Sequence, residues 1–412
     1  MRNRSFRISR RTFLVAGSAF VACPYSCTAT DDGHGLVRSI EKVTLKRGRT
    51  GKDETWFHPR ACMVPGANGP MSLMTLQTIG GSDYFGPVHY MTSIDMGRTW
   101  SVPSEIPSLG RVRRDDGWDE CVCDIVPEFH QPTNSVLAMG HSVCYRGTKF
   151  EPAQPPRWPV YSVWKNGAWG IRRKLAWDDP RGAFIYTNNC GQRVALPNGD
   201  ITFVMSFGSK NASRSAAGVH CSFDGSVLAI KAVGKEMKHA AGRGLLEPSL
   251  VRWRDRFFVT LRAEDNRGYV ATSDDGLDFS DKQPLSWEDG EPLMMSSTQQ
   301  HWLPHSEALF LVYTRRDSSN INVMRWRMPI YMAQVNPNTL RLVRETERVV
   351  LPLVGDGVNA PDDVPFSGNF HITNVTQDES WVTDGEMLPK HGYKGDLILA
   401  RIQWARPNQL VR

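Results

Sequence analysis

Apolar residues occur in short runs along the whole chain, and Gly, Pro, Asp and Asn separate one run from the next. Runs of this length and composition are typical of β-strands joined by tight turns. The runs fall into groups of three or so, and the groups repeat at a period somewhat above ~40 residues. The pattern therefore predicts an all-β chain built from small antiparallel sheets.

Six such groups can be counted, which predicts a six-bladed β-propeller with its blades around a central channel. A further strand at 39–48 should pair into the last blade and close the ring. A seven-bladed propeller and a β-sandwich with an appended domain are the alternatives. The groups begin at 61–65, 121–127, 191–207, 247–253, 301–304 and 368–375.

The stretch TSIDMGRTWS at 92–101 is typical of a turn that caps itself. Ser93 and Asp95 can bond to nearby backbone amides, Gly97 permits a positive φ, and Trp100 can fill an apolar gap. Shorter versions of the motif at 222–225 and 273–279 also follow a predicted strand. We expect all three turns to lie at hairpins on the outer edges of blades.

The amino terminus predicts export. Residues 9–14 read SRRTFL, the form of a twin-arginine signal, and a short apolar run follows. That run is about a dozen residues long, whereas a bilayer needs roughly 20. We expect residues 1–29 to be removed and residues 30–412 to form the propeller in the periplasm or outside the cell, without a transmembrane segment. A lipid anchor at Cys23 is an alternative.

Charge and cysteine content narrow the range of partners. The formal net charge is +6, but residues 1–29 hold five arginines and no acid, which leaves the rest near +1. A nucleic-acid partner is therefore not expected. Six cysteines follow residue 29, and their spacing does not determine a disulfide pairing. Nothing in the sequence determines the oligomeric state.

A zinc site can be drawn from cysteines and histidines in the second predicted blade. The C-x-C spacing is a weak metal signal beside a C-x-x-C pair. We therefore expect no required cofactor and leave a structural calcium or zinc ion as an alternative. The zinc ligands would come from Cys121, Cys123, His130, His141 and Cys144.

Residues 93–100 read SIDMGRTW, which has the form S-x-D-x-G-x-T-W of an Asp-box. With this motif and its blade pattern, the chain resembles the sialidase superfamily from about residue 40 to 405. The resemblance implies an exported, exo-acting glycoside hydrolase for acidic glycans that contain sialic or uronic acid. Asp-boxes also occur in propellers that are not sialidases, so they indicate an architecture more than a reaction.

The resemblance also implies three arginines that hold a substrate carboxylate. Arg60 in RACMVP matches the first, and Arg262 in TLRAED matches the second. Arg327 and Arg315 are alternatives for the third. The rigid fork of a guanidinium group fits the two oxygens of a carboxylate.

Two carboxylates match the residues that would transfer protons in such an enzyme. Asp83 in GGSDYFG lies where the family has its acid/base aspartate, and Glu247 in LLEPSL matches the glutamate that activates a tyrosine nucleophile. The tyrosine itself has no convincing match, although Tyr331 and Tyr393 are available. The resemblance therefore implies the fold more securely than the reaction.

Histidines at the ends of predicted inner strands leave two other functions open. His58, His130 and His301 are candidates for substrate contact. Propeller polysaccharide lyases that act on uronic-acid polymers use a histidine or tyrosine base beside an arginine, and here His141 and Tyr161 would take those roles. A non-catalytic glycan-binding propeller is the other alternative.

Overall fold

The computed structural model describes residues 35–50, 54–67, 69–81, 83–182, 184, 191–210 and 212–411. Within these ranges the chain forms six antiparallel sheets arranged as a six-bladed β-propeller, which confirms the predicted fold. The export signal predicted at 1–29, including Cys23, lies outside the described residues. The division of the chain at residue 30 therefore stays a prediction.

The first half of the ring contains blades 1 to 3. The first strand of the chain, β1 (Val37–Lys46), belongs to blade 6. Blade 1 consists of β2 (Trp56–Val64), β3 (Met71–Ile79), β4 (Phe85–Ser93) and β5 (Ser104–Glu105). Blade 2 consists of β6 (Val112–Arg113), β7 (Asp119–His130), β8 (Ser135–Arg146), β9 (Lys149–Phe150), β10 (Pro159–Lys165), β11 (Ala168–Trp169) and β12 (Arg173–Lys174). Blade 3 consists of β13 (Val194–Ala195), β14 (Ile201–Phe207), β15 (Ser215–Phe223) and β16 (Leu228–Val233).

Blades 4 to 6 complete the ring. Blade 4 consists of β17 (Leu246–Trp253), β18 (Arg256–Arg262), β19 (Gly268–Ser273) and β20 (Gln283–Pro284). Blade 5 consists of β21 (His301–Pro304), β22 (Leu309–Tyr313), β23 (Ile330–Gln334) and β24 (Arg348–Leu351). Blade 6 consists of β25 (His371–Asn374), β26 (Glu379–Gly385), β27 (Leu397–Trp404) and β1.

Helical structure in the described ranges is limited to single 3₁₀ turns, and none of them could reach across a lipid bilayer. They are Pro107–Leu109, Gln131–Thr133, Pro180–Gly182, Met324–Trp326, Arg344–Thr346, Pro361–Asp363 and Pro389–His391.

The hydrophobic core is divided into separate seams between neighbouring blades. Trp302 is fully buried in the seam of blades 4 and 5, Trp404 in that of blades 5 and 6, and Trp381 in that of blades 6 and 1. The other three pairs of neighbouring blades share clusters of the same kind. The small blades are therefore stabilised chiefly by the apolar faces they present to one another.

The ring closes in blade 6, where β1 pairs antiparallel with β27 as the sequence predicted. A buried carboxylate reinforces this closure. Glu386 is fully buried, and its Oε1 accepts a bond of 2.6 Å from Lys42 Nζ while its Oε2 binds Arg49. Arg49 also lies 3.1 Å from Asp396. The N-terminal strand is thus fixed by charge as well as by its backbone ladder.

The turn at 92–101 forms as predicted. Ser93 Oγ accepts the Gly97 N–H at 2.8 Å, Asp95 accepts two further backbone N–H groups, and Gly97 has φ +70°. Trp100 Nε1 donates to the Gly97 carbonyl at 3.2 Å, and its ring centroid lies 6.0 Å from that of Trp381. The turn of blade 1 therefore packs against blade 6.

The two shorter turns have the same role in their own blades. Asp275 accepts the backbone N–H groups of Leu277 and Asp278, and Asp224 accepts two in the turn of blade 3. Gly276 lies against blade 3, and Gly225 lies against Thr133 of blade 2. Each turn thus joins its blade to the blade before it in the ring.

The cysteines of the described ranges are all buried and free, so no disulfide links them. Cys190 lies outside the described residues. The described cysteines are Cys62, Cys121, Cys123, Cys144 and Cys221.

We expect Glu386→Gln to lower the free energy of unfolding by about 2–4 kcal/mol, because Lys42 and Arg49 would lose the buried charge that balances them. Urea unfolding followed by tryptophan fluorescence would measure the change. Glu41→Gln is the matched control, since Glu41 is exposed on β1. Equal effects of the two substitutions would contradict a stabilising role for Glu386.

Candidate functional site

Three inner strands are distorted in the same way. The distortions lie towards the end of the central channel at which these strands start. In β2, β7 and β17, two residues oppose a single residue of the next strand, so each forms a β-bulge. The first bulged residue is His58, Asp124 or Glu247, and each has a positive φ, between 43° and 58°. Bulges redirect side chains, and strained backbone of this kind is concentrated at functional sites. We therefore take this mouth of the channel as the candidate site.

The bulge in β2 directs Arg60 towards blade 2. Arg60 is fully buried, and its Nη2 donates to Asp124 Oδ1 at 2.9 Å. His58 Nε2 lies 3.4 Å from the same oxygen. Arg60 Nε and Nη1 are buried and have no hydrogen-bond partner among the described residues. The guanidinium group thus keeps donors for a ligand.

Blade 4 contributes an arginine and a carboxylate. Arg262, the last residue of β18, donates from Nη1 to Glu247 Oε1 at 2.5 Å. Its Nη2 lies 3.8 Å from Glu264. Glu247 Oε2 is buried and, within the described ranges, has no hydrogen-bond partner. Glu247 Oε1 therefore orients Arg262, and Oε2 is left to accept a proton or a hydrogen bond from a hydroxyl group.

The third arginine comes from the connection between β22 and β23. Arg327 is buried, and burial lowers its pKa to about 10, with the positive charges of Arg325 and Arg262 acting in the same direction. Burial and Arg262 also lower the pKa of Arg325, against the opposing charges of Glu247 and Asp83. Charges that shift one another's pKa in this way lie close together. Arg262, Arg325 and Arg327 of blades 4 and 5 therefore lie within electrostatic range of one another and of Glu247.

Asp83 lies at the rim of this cluster. Its backbone has φ +54°, and its carbonyl accepts the Tyr145 hydroxyl at 2.7 Å. Its side chain is exposed to solvent, and its charge acts on Arg325 and on the thiol of Cys123. Asp83 and Glu247 thus both lie within electrostatic range of Arg325, and their catalytic roles stay predictions.

Four histidines lie at this mouth in two pairs. His58 and His141 both lie beside Asp124, and the rings of His301 and His371 contact each other. Burial lowers the pKa of His58 and of His141 to about 3, so both imidazoles are neutral at pH 7. The rings of His301 and His371 lie 5.2 Å apart, and the Nε2 atom of each is buried with no partner among the described residues. Burial lowers the pKa of His301 to about 3 as well, with Arg60 acting in the same direction.

The structure does not bring all the predicted residues to this mouth. Arg315 is paired with Glu347 and Asp317 and lies over the ring of Tyr331. Arg327, and not Arg315, therefore lies beside Arg262. His130 is bonded to Thr133 Oγ1 and to the Gly199 carbonyl at the far end of β7, where Phe223 packs against its ring.

Tyr161 also lies away from the arginines. It is buried in the seam of blades 2 and 3, and its hydroxyl accepts the Leu228 N–H at 2.9 Å. This placement favours a structural role over that of a base. Of the residues drawn as a zinc site, Cys123 Sγ lies 3.5 Å from both ring nitrogens of His141, whereas Cys144 contacts Arg114.

Three residues of the site were not predicted from the sequence: Asp124, Arg325 and Asp384. The contact of His371 with His301 was not predicted either. The fully buried Asp384 accepts the Gly368 N–H at 2.8 Å. No sequence motif marks Asp124, because only the bulge after Cys123 directs it into the channel. Arg325 could have been found from its spacing to Arg327, since both belong to the run RWR.

The described residues supply no clear tyrosine nucleophile. Tyr331 is buried in blade 5 under Arg315, and Tyr393 is about half exposed beside Phe366. No tyrosine hydroxyl of the described ranges is hydrogen-bonded to Glu247. The sequence has no convincing match to the tyrosine nucleophile, and the described residues of the site do not supply one either.

Solved structures with the same architecture include a protein of unknown function from Dyadobacter fermentans, which aligns with a TM-score of 0.60 and 15% identity over 90% of this chain and 99% of its own. Trypanosoma rangeli sialidase in complex with 2,3-difluorosialic acid aligns with a TM-score of 0.59 and 13% identity over 88% of this chain. The Hadza microbial sialidase Hz136 aligns with a TM-score of 0.59 and 11% identity over 90% of this chain and 69% of its own.

This chain spans only 58% of the length of the T. rangeli sialidase. Neither a protein-family model nor a curated protein sequence matches it. At these identities the likeness shows the fold: the chain is a six-bladed propeller of the sialidase-like kind.

Proposed function

We propose that the protein is a sialidase-type glycoside hydrolase that acts on a carboxylate-bearing glycan. The observation that supports this function best is that three buried arginines, Arg60, Arg262 and Arg327, lie within electrostatic range of shared neighbours at one mouth of the channel. Arg60 and Arg327 both act on His58, and Arg262 acts on Arg327. They come from three different blades, so their proximity is a product of the ring and not of local sequence. A planar carboxylate is the ligand that such guanidinium groups suit best.

The unused donors of the mouth favour an anionic ligand. Asp124 and Glu247 are already bonded to arginines, Glu264 lies 3.8 Å from Arg262, and Asp83 is exposed at the rim. Buried charge that is incompletely paired raises the free energy of the protein alone. A bound carboxylate would lower it by supplying acceptors to Arg60 Nε and Nη1 and to Arg327 Nε.

Asp83 and Glu247 would carry out the proton transfers of glycosidic cleavage, which generally needs two carboxyl groups across the bond. Asp83, at the exposed rim, would protonate the leaving oxygen. Glu247 Oε2 would accept a proton from the nucleophile. With no tyrosine bonded to Glu247 among the described residues, we assign the role of nucleophile to water.

One observation favours a second candidate, a polysaccharide lyase. His58 and His141 are neutral at pH 7 and lie beside Asp124 and Arg60, and a neutral imidazole next to an arginine-bound carboxylate could abstract a proton. The lyase reaction leaves a new C=C bond that absorbs in the ultraviolet, so it can be separated from hydrolysis.

The test is a turnover screen of the purified protein against sialosides, uronic-acid-capped oligosaccharides and acidic polysaccharides. Reducing ends and ultraviolet absorbance are followed together. We expect new reducing ends without new absorbance. Both signals together would support the lyase instead. Binding without either signal would leave a non-catalytic glycan-binding propeller, and no binding would contradict all three functions.

We expect Arg327→Lys to lower kcat/KM on the active substrate by roughly 100-fold, because a lysine has no fork for a carboxylate. Arg315→Lys is the matched control, since Arg315 lies on the same blade and is saturated by Glu347 and Asp317. Steady-state kinetics of both variants would show the difference. A similar loss in the two variants would contradict the assignment of Arg327.

We expect Glu247→Gln to lower kcat by at least roughly 100-fold, because the amide cannot accept a proton at the position of Oε2. Binding of a non-cleavable acidic sugar, measured by calorimetry, should change far less. Glu264→Gln serves as the control in the same blade. Unchanged kcat in Glu247→Gln would exclude Glu247 as the base.

Asp384 stabilises the backbone against which the Arg327 side chain packs. Its Oδ2 accepts the Gly368 N–H at 2.8 Å and its Oδ1 accepts the Gly385 N–H at 2.7 Å. Gly368 has φ +108°, and a Cβ there would come within 3.2 Å of Arg327 Cγ. Asp384 therefore holds in place the glycine against which the arginine packs.

Burial raises the pKa of Asp384 to about 7, against about 3.9 in an unfolded chain. The folded protein thus binds this proton more tightly than the unfolded chain, so the free energy of unfolding should fall as the pH rises from about 4 to 7. Asp384→Asn should remove this slope. Its stability relative to the wild type should rise by roughly 2–4 kcal/mol over that interval in urea unfolding. Parallel stability curves would contradict a protonated Asp384.

A further inference from the structure

We propose that Cys123, Asp124 and His141 form a zinc site beside the arginine cluster. The proposal goes beyond glycan cleavage and does not depend on it. One ligand atom from each of the three residues lies within 4.8 Å of the others. Thiolate, carboxylate and imidazole are the three ligand types that zinc takes in proteins.

The sulfur–nitrogen distance matches tetrahedral zinc, and the side chains must rotate to direct their lone pairs at one ion. Zinc–sulfur and zinc–nitrogen bonds of about 2.3 and 2.0 Å imply a sulfur–nitrogen separation of roughly 3.5 Å. Cys123 Sγ lies 3.5 Å from both ring nitrogens of His141, so the sulfur faces the ring between them, and the imidazole must rotate for one nitrogen to direct its lone pair at the ion. Asp124 Oδ2 lies 3.9 Å from His141 Nδ1, longer than the expected ~3.3 Å, so metal binding would have to draw these two side chains together.

The backbone presents all three ligands from neighbouring positions. Cys123 pairs with His141 across β7 and β8, and the bulge after Cys123 gives Asp124 a φ of +58°, so successive residues can face one metal ion. Gly140 opposes the bulge, and a Cβ there would come within 2.4 Å of the Cys123 carbonyl. The glycine thus allows the close approach that the bulge requires.

The surrounding groups hold one oxygen of the Asp124 carboxylate in place. Arg60 donates to Asp124 Oδ1, and His58 Nε2 lies 3.4 Å from the same oxygen, which leaves Oδ2 to the metal. Arg60 and Arg157 place positive charge nearby and would weaken metal binding. Thiolate and carboxylate together carry two negative charges, which balance Zn²⁺.

Access to the ion would be from one side. Cys123 and His141 are buried, whereas the Asp124 side chain keeps 23% of its exposure. Three protein ligands leave a fourth position of a tetrahedral ion unfilled. That position would face the channel mouth beside Arg60. Binding exchanges the Cys123 thiol proton for the metal, and the proton is released to solvent.

The test uses the purified protein, stripped with a chelator and then loaded with Zn²⁺ or Co²⁺. We expect one metal ion per chain by elemental analysis, and a thiolate-to-cobalt charge-transfer absorption in the near ultraviolet. Cys123→Ser should remove that absorption and lower the bound metal at least tenfold. Cys121→Ser is the matched control, since Cys121 lies buried on the same strand outside the cluster, and it should bind as the wild type does.

The wild-type cobalt spectrum decides the proposal even if Cys123→Ser does not fold. Absence of the charge-transfer absorption, or less than a tenth of an ion per chain, would overturn it. Equal loss of metal in Cys121→Ser and Cys123→Ser would overturn it as well. Asp124→Asn should weaken zinc binding and keep the sulfur-to-cobalt absorption. None of these measurements needs a glycan, so failure of the proposed function would not affect the result.

Discussion

The candidate site depends on one pairing, that of β1 with β27. Its residues come from blades 1, 2, 4, 5 and 6, and no single sheet holds more than a small part of them. Only a closed ring fixes the distance between Arg60 and the arginines on the other side of the channel. The buried carboxylate of Glu386, which ties the N-terminal strand to blade 6, therefore contributes to the site although it touches none of its residues.

The mouth of the channel combines strained backbone with buried charge. His58, Asp83, Asp124, Glu247 and Arg325 all have a positive φ, a conformation that costs side-chain-bearing residues free energy. Burying arginines beside one another adds to that cost. The apolar seams between the blades must offset both, and a site of this kind is stable only inside a large and well-packed ring.

The fold could be predicted from the sequence because strand runs, turn residues and the Asp-box turns are local features. The family resemblance points to Arg60, Arg262, Asp83 and Glu247, and all four lie towards one mouth of the channel, but their roles stay predictions. The choice between Arg327 and Arg315 could not be made, since it depends on which side of a loop faces the channel. Tyr161 and His130 follow strand patterns like those of the site residues but are bonded within seams. Asp124 and Asp384 have no local signal, because a bulge and a buried backbone contact define their roles.

The three bulges have a consequence for how this architecture can change. The residue at the start of each bulge, His58, Asp124 or Glu247, is the extra residue of its strand and has no partner of its own in the ladder. Its identity is therefore free of the cross-strand packing that constrains the residues around it. New chemistry could arise by exchange at these positions while the ring keeps its register. The propeller thus separates the part of the sequence that specifies shape from the part that specifies reactivity.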